Sequence, residues 1–92
     1  MKIMLMYSAK PGAFVEAVRR FKAGLAIPGE GVTQLGRWHA TDFSVGFALY
    51  ETDSPAALYA SASRWADILD VKHHLVIEDG EVAPILARIS VP

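Results

Sequence analysis

Apolar residues crowd both sides of the first strand-length segment. Over residues 2 to 8, Ile3, Leu5 and Tyr7 share one parity and Met4 and Met6 the other, and the run stops at Lys10-Pro11-Gly12, so the spacing predicts a central strand. From Ala13 to Leu25 the period changes. Phe14, Ala17, Val18, Phe21 and Leu25 recur three and four apart, opposite Glu16, Arg19, Arg20 and Lys22, as in an amphipathic helix. Ile27-Pro28-Gly29-Glu30-Gly31 reads as a surface loop. Residues 32 to 40 and 43 to 51 are strand-like about a turn near Thr41-Asp42. Asp53-Ser54-Pro55 then supplies a capping side chain and a proline pre-set for the first turn of a helix whose inner stripe is Leu58, Ala62, Trp65 and Leu69. Residues 71 to 78 alternate as a fourth strand. Val82, Ile85, Leu86 and Ile89 predict a last helical turn or two, with Pro84 limiting where it begins.

The order strand, helix, strand, strand, helix, strand predicts an α+β fold over residues 1 to 92 as one domain: a ferredoxin-like split βαββαβ with a four-stranded antiparallel sheet and a C-terminal helical turn. Two helices cover one face of such a sheet. The other face meets water or a partner, and a first strand apolar on both sides calls for a second layer, which a second copy of the chain supplies as a homodimer.

Parity sorts the hairpin into two sets. A two- or four-residue loop at Thr41-Asp42 sets His39 opposite Ser44, Arg37 opposite Gly46 and Leu35 opposite Ala48, and cross-strand partners share a face. One set is Trp38, Phe43, Val45, Phe47 and Leu49, whose bulk makes it the expected core under the helices. The other is Arg37, His39, Ser44, Gly46, Ala48 and Tyr50, polar groups over small residues, which reads as the floor of a pocket on the open face. In strand 4, His73 takes the more apolar side and His74 the other, so His74 is expected at the open face, about three strand spacings from His39 within one subunit and brought to it only by a facing partner.

Composition sharpens this reading. Hydrophobic residues make up 52% of the 92-residue chain and charged residues 21%, an apolar excess that fits a buried second face. Nine Lys and Arg against ten Asp and Glu leave a net charge of −1, which gives no footprint for nucleic acid or anionic lipid. Absence of cysteine excludes disulfides, thiolate metal sites and a thiol nucleophile. The N-terminal apolar run is too short for an export signal, and no run approaches a membrane span, so the expected location is cytoplasmic. No nucleophile elbow, phosphate loop or dinucleotide fingerprint occurs, and no cofactor or metal is called for.

The segment Gly36-Arg37-Trp38-His39-Ala40 resembles a strand of a family of small bacterial domains of unknown function within the dimeric α/β-barrel superfamily. The resemblance extends over Tyr7-Ser8, Lys10-Pro11-Gly12, Glu51-Thr52-Asp53-Ser54-Pro55 and Trp65-Ala66-Asp67-Ile68-Leu69. It implies two ferredoxin-like subunits placed sheet to sheet. Relatives in that superfamily include cofactor-independent monooxygenases, lactone isomerases and haem-binding enzymes. The resulting expectation is a pocket for a small organic molecule, with His39 as a general base, Arg37 as an anion clamp, and Ser44, Tyr50, His74 and Tyr7 around the ligand. A non-catalytic homodimer, in which Arg37 and His39 only bond across an interface, and a haem-binding protein using His39 or His74 are the alternatives.

Overall fold

A computed structural model describes all 92 residues. The chain forms β1 (Lys2–Ala9), α1 (Phe14–Lys22), β2 (Thr33–His39), β3 (Gly46–Glu51), α2 (Pro55–Ser63), β4 (Leu69–Val76) and α3 (Asp79–Leu86). The four strands make one antiparallel sheet in the order β2-β3-β1-β4, with the doubly apolar β1 at its centre. The second helix starts as its sequence predicts: Ser54 Oγ accepts from the Ala57 backbone N–H at 3.1 Å, and Pro55 follows in the first turn. It ends early, at Ser63, so Trp65 lies in a turn and Leu69 opens β4 rather than extending the helix. β4 accordingly starts and ends two residues before the expected 71 to 78. Pro84 falls inside α3 instead of near its start.

The hairpin turn is longer than the sequence suggests. The Asp42 carboxylate accepts from the Ser44 N–H at 3.1 Å and from its hydroxyl at 2.6 Å, and the Ala40 N–H closes the turn on the Val45 carbonyl at 2.9 Å. Phe43 takes a left-handed φ of 65° within it and is 78% exposed, so it leaves the expected core. The register moves by two residues: His39 pairs with Gly46 and Arg37 with Ala48, while a bulge at Leu35 separates Gln34 from Gly36. A two-residue move preserves parity. Arg37, His39, Gly46, Ala48 and Tyr50 do share a face, and Trp38, Phe47 and Leu49 share the other. Ser44 drops out into the turn.

The two faces are the reverse of the expectation. Ile3, Leu5, Ala48 and Tyr50 form the buried cluster with Val32, and Ala57, Leu58 and Val71 pack against it, so the Arg37 face is the one beneath the helices. Ala48, expected at the open face, is fully buried. The bulky set, Trp38, Phe47 and Leu49 with Met4, Met6 and Val76, lies on the uncovered side, where Trp38 is 54% exposed. Side-chain bulk picks the wrong face because the helix side is built around space. The Tyr7 ring lies over Gly46 so closely that a Cβ there would meet it at 2.2 Å. The helices rest loosely on this layer, α1 having no buried residue.

Candidate functional site

One row of cross-strand pairs runs the width of the sheet beneath the helices: His73 on β4, Leu5 on β1, Ala48 on β3 and Arg37 on β2. Tyr7 stands on one side of this row and Tyr50 on the other. Leu5 and Val71 make an apolar floor, while Phe21 of α1, Leu58 of α2 and Trp65 of the following turn form the roof. The space between is a cavity of about 80 Å3 with apolar walls and polar groups from both sheet edges.

Arg37 is the most telling of these groups. Its Nη2 donates to the Tyr50 hydroxyl at 3.5 Å, the outer limit of a hydrogen bond, and its Nε is buried with no partner. No carboxylate lies within ion-pair distance, so beyond that long contact the guanidinium rests on aromatic faces, 5.1 Å from the Phe21 ring centre and 6.0 Å from that of Tyr7. The Tyr7 hydroxyl is likewise buried and unbonded. Burial raises its pKa, with the Arg37 charge pulling the other way. Each orphaned polar atom costs roughly 1–3 kcal/mol. At the other end, burial and then the neighbouring His74 push the His73 pKa below the ordinary 6.5, which keeps this imidazole neutral at neutral pH.

A surface clasp holds the roof in place. Arg20 of α1 donates to Asp67 at 2.6 Å, to Glu16 at 3.1 Å and to the Arg64 carbonyl at 3.2 Å, and its guanidinium sits 5.6 Å from the Trp65 ring centre. Hydrogen bonds from Arg19 and then Arg20 pull the Glu16 pKa down to about 2. The helix and the turn carrying Trp65 are thereby tied together across the cavity mouth.

The cavity brings Arg37, Tyr50 and Tyr7 together, as the sequence reading expects, but on the helix-covered side of the sheet rather than the open one. His39 lies in the adjoining hollow, its ring edge-on to Phe21 at 5.2 Å. Ser44 is in the hairpin turn, bonded to Asp42. His74 pairs with Met4 and so points to the opposite face, because adjacent strand residues alternate. Its neighbour His73 takes the place at the cavity. Sequence reasoning puts His73 on the more apolar side with Val71 and Leu75 and prefers His74 for the site, and it treats Phe21 and Trp65 as core only. No three His, Asp or Glu side chains converge in a way that could hold a metal ion, and no helix is long and apolar enough to cross a membrane.

A family model described as a domain of unknown function, DUF3303, matches residues 1–90. No curated protein and no solved structure matches the chain.

Proposed function

Because the chain belongs to the DUF3303 family, whose description carries no activity, its function has to be read from its own site, and we propose that it is a homodimer binding a small organic molecule between helices and sheet in each subunit. The observation that carries the binding reading is the apolar cavity lined by Arg37 and Tyr7, each of which keeps a buried polar atom, Arg37 Nε and the Tyr7 hydroxyl, without a partner. Binding is preferred to catalysis because His39, the expected base, faces Phe21 outside that cavity. The cavity likewise favours a ligand site over a purely structural dimer.

Surface area supports the dimer. The isolated subunit exposes 6550 Å2, whereas a compact monomer of this mass exposes about 5,200 Å2. Its radius of gyration is 15.8 Å, against about 12 Å for a compact chain of this length. The excess matches what one partner contributes to a stable interface, about 800 Å2 or more. Met4, Met6, Phe47 and Leu49 on the open face, with Ile85 and Leu86 of α3 and Ile89 after it, provide the apolar surface to be covered. The strand order is that of a ferredoxin-like unit, and two such sheets face to face form a dimeric α/β barrel.

The test is a thermal-shift screen of small organic molecules on the wild-type chain and on Tyr7→Phe and Arg37→Met. Ligands that raise the melting temperature of the wild type and lose that effect in Arg37→Met support the site. Stabilising ligands that are indifferent to both substitutions would place binding elsewhere.

A further inference from the structure

Resting on the reading of the cavity as a ligand site, we propose that its ligand is a small monocarboxylate with a flat apolar body, the carboxylate meeting Arg37 and the body lying between Phe21, Leu58 and the Leu5–Val71 floor. Charge points to an anion. Arg19 and Arg20 are bonded to carboxylates and Arg64 to the Ile27 carbonyl, whereas Arg37 has only a long contact to a tyrosine hydroxyl. No Asp or Glu lines the cavity, so the field inside is positive and no acidic group competes for the guanidinium.

The number of charges points to one. Two guanidiniums line the cavity, but Arg64 is bonded to the Ile27 carbonyl, so one planar fork, that of Arg37, is left to match a carboxylate, which takes two parallel N–H donors; the remaining polar groups are tyrosine and serine hydroxyls and a neutral imidazole. A dianionic phosphate would keep a charge unmatched among apolar walls. Size sets the body. A space of some 80 Å3 is on the scale of one ring or a short branched chain, not of a larger fused system. Aromatic and aliphatic walls above a floor of Leu5 and Val71 favour a flat one.

Titration of the full-length wild-type chain with benzoate, its neutral isostere benzamide and inorganic phosphate decides the matter, read by calorimetry and melting temperature near neutral pH. The expected result is that benzoate binds about tenfold or more tighter than benzamide, that phosphate leaves the melting temperature unchanged, and that Arg37→Gln removes the preference while benzamide binding persists. Benzamide binding as tightly as benzoate would overturn the carboxylate and leave the ligand site standing. Phosphate binding as tightly as benzoate would overturn the apolar body. Failure of all three at millimolar concentration would overturn both the carboxylate and the site. Should Arg37→Gln fail to fold, the wild-type comparison of benzoate with benzamide still decides, and Arg37→Lys, which keeps the charge but loses the fork, is expected to retain only part of the preference.

Discussion

The two faces of the sheet invert the usual relation between bulk and burial. Beneath the helices the strands present Gly46 and Ala48, two tyrosines and an arginine, while the uncovered side presents Met4, Met6, Trp38, Phe47 and Leu49. A face designed only to be a core would carry the second set. On the function proposed above, the first set suits a ligand site beneath loosely packed helices and the second suits cover by another sheet.

Glycine substitutions probe this contrast most strongly. Gly46→Ala puts a Cβ 2.2 Å from the Tyr7 ring, which is half-buried beneath the helices. It is expected to lower stability by roughly 1–3 kcal/mol at every protein concentration, measured by urea unfolding. Gly36→Ala puts a Cβ 2.6 Å from the Trp38 ring on the other face. That ring is free to swing within an isolated subunit, so the loss should appear in self-association and fade on dilution. Equal, concentration-independent losses for both would erase the distinction.

A smaller effect, of opposite sign, is expected at the polar anchor. Arg37→Met replaces an unpartnered cation with an apolar chain of similar reach, and chemical unfolding should find it as stable as the wild type or more so, by up to about 1 kcal/mol. Ligand-induced stabilisation should vanish at the same time. Destabilisation of several kcal/mol instead would mean that Arg37 holds the fold together.

The smallest effect belongs to the surface clasp. Glu16 stays ionised in the folded chain down to about pH 2 but takes up a proton near 4.5 when unfolded. Its contribution is therefore complete above 4.5 and is lost as pH falls toward 2, since the unfolded state binds the extra proton in that window. Glu16→Gln should flatten the acid limb of the stability profile over that interval and change little above it. The change will be modest because the pair is solvent-exposed. An unchanged acid limb would show that the clasp contributes nothing measurable.

Much of this architecture is legible in the chain. The change from alternation to a three- and four-residue period locates β1 and α1, Ser54-Pro55 marks the start of α2, and parity groups Arg37 with Tyr50 and Trp38 with Phe47. What parity lacks is a sign. With β1 apolar on both sides, nothing local says which group the helices will cover, and choosing by bulk selects the wrong one. Turn length was hidden for a related reason: Asp42 captures Ser44 through its side chain, an interaction that displaces Phe43 into solvent and moves the register by two. His74 is preferred to His73 for the same lack of a sign, since only the pairing of His73 with Leu5 shows that its more apolar side is the one at the cavity.

The division of labour between the faces is tested most directly by sedimentation equilibrium of the wild type beside Leu49→Lys, which sets a charge at the centre of the open face between Met4 and Gly36. The expected result is a wild-type mass twice the 10.0 kDa of the chain and a folded Leu49→Lys at the single-chain mass. A wild type that sediments as a monomer at micromolar concentration, or a Leu49→Lys variant that remains dimeric, would contradict it.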